Sequence, residues 1–372
     1  MNKTILITGG AGFIGSHLTD ELLDKGYKVK ILDNLNEQVH GKGCNRPDYL
    51  NKEAELIVGD VRDPLKVKQA LKGVDAVYHY AAMVGVGQSM YQVRDYTDVN
   101  NLGTAVLLEA LIDNPVEKLI VASSMSIYGE GLYKDEGGNI KVGEERKLEQ
   151  LKKGDWDIYA ENNTKLAPCP TPEWKTPSLS SVYALSKYDQ ERMCLLIGRA
   201  YNIPTVALRF FNVYGTRQAL SNPYTGVLAI FASRLLNGNS PMIFEDGHQK
   251  RDFVSVADIA QASRLALEKR EANYEVFNVG SGNAYTIVEI AQKLSRILNK
   301  EELTPEITGK YRVGDIRHCF ADISHARKVL GYQPSRTLDE GLVELADWLD
   351  GQTAEDRVTL ASNELAARGL TV

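Results

Sequence analysis

Apolar residues along the first two-thirds of the chain fall into short, dense runs separated by longer stretches with helical patterning. The runs are Thr4–Thr8, Lys28–Asp33, Glu55–Gly59, Ala76–Tyr80, Leu119–Ser123 and Thr205–Phe210. Their Ile, Val and Leu content, with little polar alternation, predicts strands buried on both faces of a sheet. Helices are predicted between them at Ile14–Lys25, Pro64–Lys72, Thr104–Ile112 and Val182–Tyr201. Such alternation predicts an α/β fold built on a doubly wound parallel sheet.

Two regions break the rhythm. Gly131 to Ser180 is polar, Pro-containing and charged, and is too long for an ordinary connection. It reads as a surface excursion, or a lid near the mouth of a site. After Asn212 the chain turns loop-rich, then offers a strand at Met242–Glu245 and helices at Val256–Glu268 and Thr286–Asn299. This part is expected to form a smaller mixed α/β lobe over the C-terminal ends of the strands, where open α/β sheets bind ligands. The division that follows is 1–212 plus 253–283 for the first domain, with 131–180 inserted, and 213–252 plus 284–350 for the lobe. Gln352–Val372 reads as a polar helical tail.

Composition narrows the setting. The chain has 372 residues, 43% hydrophobic and 25% charged, with a net charge of −6 and no basic stripe, which argues against nucleic acid. No apolar run approaches the ~20 residues that span a bilayer. The first strand starts at Thr4, which leaves no room for a signal peptide, so a cytoplasmic protein is expected. Cys44, Cys169, Cys194 and Cys319 are widely spaced and read as unpaired thiols, and no metal site is expected.

The candidate chemistry begins at Gly9-Gly10-Ala11-Gly12-Phe13-Ile14-Gly15, between the first strand and first helix. Read as Gly9-x-x-Gly12-x-x-Gly15, the glycines serve a tight turn, close approach of a pyrophosphate, and helix–strand packing. Phe13 and Ile14 open the helix, whose N-terminus offers free N–H groups and positive dipole to phosphates. A glycine triplet also occurs in plain tight turns, so its context decides. Asp33 ends the second strand 18 residues beyond Gly15, where a carboxylate can accept from an adenosine ribose, with Asn34 beside it. The same carboxylate would repel a 2′-phosphate, which favours NAD over NADP. Asp60 and Val61 are placed to meet the adenine, and Ala81 and Ala82 are small enough to let the cofactor lie across the sheet edge.

Further motifs extend this pattern: His79-Tyr80-Ala81-Ala82, Asn100-x-x-Gly103-Thr104, Ser123-Ser124, Tyr183-x-x-x-Lys187, Arg209-Phe210-Phe211-Asn212-Val213-Tyr214-Gly215 and Arg251-Asp252-Phe253-Val254. In order and spacing they resemble the extended short-chain dehydrogenases/reductases, over roughly Met1 to Asp350. Tyr80 stands where Leu is usual, and Thr216 where Pro is usual. The resemblance implies a Rossmann-like NAD domain, with Asn100, Tyr183 and Lys187 among the cofactor contacts. Tyr183 and Lys187, four apart on a helix, share a face. The Lys187 ammonium and the positive nicotinamide are expected to lower the phenol pKa from about 10 towards neutrality. Tyr183 would then take the proton of a sugar hydroxyl, with Ser124 hydrogen-bonded to the same oxygen.

The branch holds nucleotide-sugar epimerases, dehydratases, decarboxylases and reductases. Dehydratases and decarboxylases place an acid just after the catalytic Ser/Thr. Here the run is Ser124-Met125-Ser126-Ile127-Tyr128-Gly129, with no carboxylate, and what remains suits reversible oxidation in a 4-epimerase. The resemblance further implies that Asn212 meets a diphosphate, that Arg251 and Arg312 neutralise it through planar forks, and that Asp315 holds the nucleotide ribose. Gln88, Ser89 and Met125 are candidate sugar-pocket residues. The stretch from Arg217 to Gly247, with the long insertion, is similar to the bacterial dTDP-L-rhamnose 4-epimerases. UDP-glucose and UDP-N-acetylglucosamine 4-epimerases share most of the motifs and stay open as alternatives, as does a dehydratase or reductase. A redox-sensing regulator that keeps the fold without catalysis is the non-enzymatic reading, against which Tyr183 and Lys187 both stand. A homodimer through the helices around Thr104–Ile112 and Val182–Tyr201 is a family expectation.

Overall fold

The computed structural model describes residues 3–312 and 314–371. Its centre is a seven-stranded sheet: β1 (Thr4–Thr8), β2 (Lys28–Asp33), β3 (Glu55–Val58), β4 (Ala76–His79), β5 (Lys118–Ser124), β6 (Thr205–Phe210) and β7 (Val276–Val279). The spatial order is β7-β6-β5-β4-β1-β2-β3, and every pairing is parallel. Successive side chains on a strand point to opposite faces, so each apolar run supplies two cores at once. Ile5, Ile7, Val29, Ile31, Tyr78 and Leu208 pack on one face. Leu6, Leu32, Val77, Val121 and Ala207 pack on the other.

Helices cover both faces. They include α1 (Phe13–Asp24), α2 (Gly103–Asp113), α3 (Val182–Ala200) and α4 (Val256–Glu268). Ser181 starts α3 by accepting the Ala184 N–H on its hydroxyl, which fixes the register of the residues that follow. Strand order reverses between β1, which leads to β2 and β3, and β4, which leads to β5. The C-terminal edge at that switch is where such sheets open a crevice.

A smaller mixed lobe has its own core, with Leu228, Phe231, Leu235, Ile290, Leu294, Leu342 and Leu345 among its residues. The expected strand at Met242–Glu245 stops at Ile243, because Glu245 adopts a left-handed φ of 56° and turns the chain away. The 131–180 excursion folds into a three-stranded antiparallel sheet of Leu132–Lys134, Ile140–Val142 and Ala167–Cys169. Buried ion pairs from Arg146 tie it to Glu130, just before the excursion, and to Glu245 of the lobe. The tail carries a helix at Val358–Ala367. Among the described residues, no helix is long and apolar enough to cross a membrane.

Candidate active site

One cleft of about 760 Å³ runs along the C-terminal edge of the sheet and is lined by residues of both the sheet domain and the lobe. Its floor at one end is the glycine turn. Gly9 has φ 70°, and a Cβ there would lie 2.8 Å from the Ala81 nitrogen, so the turn closes only without a side chain. A Cβ on Gly15 would sit 2.5 Å from the Gly9 carbonyl and 2.6 Å from the Gly10 Cα. The helix α1 begins at Gly12 with no side-chain cap, and Gly12, Phe13, Ile14 and Gly15 all face the cleft. Its first-turn N–H groups are therefore free for an anion.

Asp33 is buried at the end of β2. Its Oδ2 accepts the Ala11 N–H at 3.0 Å and its Oδ1 the Leu35 N–H at 3.0 Å. The carboxylate thus shapes the glycine turn as well as bordering the cleft. Asn34 donates to Asp60 Oδ2 at 3.0 Å, and bonds from Arg62 hold the Asp60 carboxyl down to about 2. Val61, Ala81 and Ala82 line the same wall. Asn100 lies behind it, fully buried. Its amide accepts the Met83 N–H at 2.7 Å and donates to the Met83 carbonyl and Ser186 Oγ, so it holds the wall and does not form it.

At the other end Ser124, Met125, Tyr183 and Lys187 converge on the cleft. Ser124 closes β5, and Ser126 donates to its hydroxyl oxygen at 2.8 Å. Tyr183 stands one residue inside α3, its ring edge-on to Tyr96 with centroids 6.4 Å apart. Burial pushes the phenol above its ordinary value and the Ser124 hydrogen bond pulls the other way. The expected lowering is therefore not a property of the protein alone: burial outweighs the Ser124 bond, while the Lys187 ammonium, also lining the cleft, donates to Gln190 Oε1 at 2.6 Å. Burial pushes Lys187 itself down to about 8.

The expected sugar and nucleotide residues divide. Gln88 and Asn212 border the cleft, and Asn212 Oδ1 is buried with no partner. Ser89 does not border it. Fully buried, its hydroxyl donates to the Val86 carbonyl at 2.7 Å and accepts the Tyr183 N–H at 3.0 Å, so it fixes the start of α3. Arg251, Arg312 and Asp315 do come together, with Asp315 3.5 Å from Arg251 and 3.0 Å from Arg312. Their cluster stands off the cleft wall, and Arg251 donates to the Lys250, Ile316 and Arg317 carbonyls.

Three further contributors lie outside the site residues expected from the sequence. Ser126 lines the cleft beside Ser124. The loop after β6 brings Gln218, Asn222 and Tyr224 across it, and Gln38 Nε2 donates to Asn222 Oδ1 at 3.0 Å and Gln88 Oε1 at 3.2 Å. The tail backs this wall: Glu364 accepts from Tyr91 at 3.3 Å and Tyr224 at 3.4 Å. No residue of the 131–180 excursion borders the cleft, so the lid reading finds no support there.

Comparison with known proteins gives concordant results. The profile of the NAD dependent epimerase/dehydratase family matches residues 5–147 and 158–280. A dTDP-L-rhamnose 4-epimerase of Burkholderia thailandensis is 34% identical over 93% of this chain and 95% of its own. The crystal structure of a UDP-glucose 4-epimerase of Thermotoga maritima with UDP-glucose superposes with a TM-score of 0.76 at 32% identity, covering 94% of this chain and 99% of that one. A UDP-glucose 4-epimerase of Thermus thermophilus in complex with NAD gives 0.74 at 30%, covering 94% and 100%. With the parallel sheet, the glycine turn and the Ser124–Tyr183–Lys187 grouping in one cleft, these matches make the chain a member of the NAD-dependent epimerase/dehydratase family.

Proposed function

We propose that this protein is an NAD-dependent nucleotide-sugar 4-epimerase, interconverting dTDP-L-rhamnose and dTDP-6-deoxy-L-talose. The observation that carries the reading is chemical. The only carboxylates among the described residues lining the cleft are Asp33, Asp60 and Asp95. Asp33 and Asp60 stand at the end that fits adenosine, and Asp95 acts electrostatically on Arg62 beside Asp60. Beside Ser124 and Tyr183 there are hydroxyls and no acid, which suits reversible oxidation and leaves elimination or decarboxylation without its proton carrier.

The cleft fits NAD: the tight turn that only Gly9 and Gly15 allow, the space at Gly12 where a Cβ would meet nothing nearer than 3.4 Å, the uncapped start of α1 and the Asp33 carboxylate match pyrophosphate and ribose. NAD supplies a reversible two-electron hydride acceptor there when bound. Tyr183 takes the proton of the C4 hydroxyl as the ketone forms and gives it back on re-reduction. Ser124, whose oxygen already accepts from Ser126, turns its own proton towards the same sugar oxygen. Lys187 favours the ionised phenol by its charge. Between the two half-reactions the planar 4-keto sugar must turn over, so the diphosphate is held firmly and the sugar loosely. Asn212, with its unpartnered buried oxygen, and the Arg251–Arg312–Asp315 cluster are assigned to the nucleotide end, with Gln88 and Met125 at the sugar.

In this reading residues 1–212 plus 253–283 hold the cofactor, and 213–252 plus 284–350 the nucleotide. Exposed Leu185 and Leu196 on α3, with Leu102 before α2, support a homodimer across those helices. A UDP-glucose epimerase is the second reading, favoured by the Thermotoga likeness at nearly equal identity. Side-by-side kcat/KM values for dTDP-L-rhamnose and UDP-glucose decide between them. The proposal requires the first to exceed the second by at least tenfold, and the reverse ratio moves the assignment to UDP-glucose.

A further inference from the structure

Beneath the cleft, Lys187 is joined to a buried polar unit whose other members the reaction as described does not use. Lys187, Gln190, Thr104, His79 and Thr8 are all buried. Lys187 Nζ lies 2.6 Å from the Gln190 side-chain oxygen. An ammonium can only donate, so the amide orientation is fixed: Oε1 faces Lys187 and Nε2 faces the Thr104 hydroxyl at 2.9 Å. Thr104 in turn donates to the Asn100 carbonyl at 2.5 Å, which leaves its oxygen free to accept. His79 spans the Thr8 and Thr104 hydroxyls at 2.9 and 2.8 Å. Swinging Gln190 out of this unit would strand a buried donor.

The charges around Lys187 explain why an amide stands there. On its own helix, Glu191 has both oxygens engaged by Arg209 of β6 and one also by Ser123, and Cys194 is buried, its thiol raised to about 12 and uncharged. From β4 comes His79, held neutral by burial and by Lys187 itself. Tyr183 and Tyr96 are the phenols on the cleft side, both raised by burial. Lys187 therefore meets a dipole where a carboxylate would have formed an ion pair. No carboxylate forms an ion pair with it among the described residues, Gln190 engages one of its three N–H groups, and Lys187 itself lines the cleft beside Tyr183.

We propose that Gln190 is a positioning residue for the reaction: its amide oxygen fixes the Lys187 ammonium without neutralising it, so that the charge acts on Tyr183. The proposal rests on the reading of Tyr183 and Lys187 as the proton-transferring pair. Two variants test it, Gln190→Glu and the near-isosteric Gln190→Met. The readouts are kcat and KM against pH with dTDP-L-rhamnose and with UDP-glucose, and ionisation of Tyr183 in the NAD-bound protein. The latter is followed by near-ultraviolet phenolate absorbance as the difference from Tyr183→Phe, and needs no turnover.

In Gln190→Glu the added negative charge opposes the phenolate. The acid limb of the kcat profile and the Tyr183 titration should both move up by about one pH unit, which is roughly tenfold in rate at fixed pH below the limb. In Gln190→Met the ammonium loses its partner, and kcat should fall tenfold or more with KM within about threefold. Wild-type kcat in Gln190→Met together with an unmoved Tyr183 titration in Gln190→Glu would overturn the proposal. Failure of the underlying reading looks different: Tyr183→Phe would then stay active, whatever the Gln190 variants do. If Gln190→Glu does not fold, Gln190→Met alone decides, since it adds no charge and little change in volume.

Discussion

Replacing Asp33 with Ala removes two things at once, and the structure gives the size of each. The carboxylate is the acceptor for two N–H groups, Ala11 in the glycine turn and Leu35 just after β2. Ala11 is fully buried and Leu35 is 7% exposed, so neither donor gains a good water in exchange. Each stranded donor costs about 1–3 kcal/mol, giving roughly 2–6 kcal/mol for the pair. Leu35 also sits at φ 51°, a left-handed conformation that the Asp33 bond helps to hold. For 372 residues the unfolding entropy is roughly 0.8 kcal/mol/K, so the melting temperature should fall by about 3–8 °C. If the same carboxylate also receives the two adenosine ribose hydroxyls, charge-assisted bonds worth ~3 kcal/mol together are lost, and NAD affinity should drop by about 100-fold. NADP should lose far less, because the repulsion of its 2′-phosphate goes too. Calorimetric melting and titration of cofactor-stripped protein with NAD and NADP measure all three quantities. Asp33→Asn, which keeps one acceptor, should fall between wild type and Ala in stability. An Ala variant with wild-type melting temperature and wild-type affinity for both cofactors would refute the placement of Asp33 in turn and ribose site alike.

Tyr183→Phe should lower kcat by at least 10²-fold while leaving NAD binding within a few-fold, since only the proton-carrying oxygen goes; turnover near wild type would remove Tyr183 from proton transfer. Gly15→Ala should reduce both NAD content on purification and melting temperature, because the new methyl meets the Gly9 carbonyl at 2.5 Å; normal cofactor content would mean that the turn is more compliant than its geometry. Stability should also fall in acid through His79. Burial first, and Lys187 second, hold its imidazole down to about 3, against the ordinary histidine value of 6.5. Between those values the unfolded chain binds a proton that the native state refuses, so stability drops as pH falls from 6.5 towards 3. Urea midpoints at pH 5 and 7 should therefore converge in His79→Gln relative to wild type, and an identical pH difference in both proteins would contradict the buried neutral imidazole.

The sheet is legible in the sequence because buried parallel strands have little choice of residues: β1, β2 and β6 fall where their apolar runs do. β7 is not. It has four residues, and one of them, Asn278, is a buried amide committed to Tyr128, Thr171 and Asp322, which breaks the apolar signal of an inner strand. The glycine turn and Asp33 are legible because their spacing is set by one local unit. Ser89 and Asn100 are not, because burial depth, which separates a wall from its support, leaves no mark on local spacing. The same holds for Arg251, Arg312 and Asp315. Sequence brings them together, whereas their distance from the cleft depends on how the lobe packs. Gln190 looks like any helical Gln until its partners across α2 and β4 are known.

The central claim, epimerisation at C4 with retained cofactor, is tested most directly by proton NMR of dTDP-L-rhamnose incubated with the purified protein in D₂O, with no cofactor added. The account predicts a second nucleotide sugar with altered H4 couplings, no deuterium at C4, and no net NADH absorbance. A 4-keto product, deuterium entering the ring, or stoichiometric NADH would contradict it.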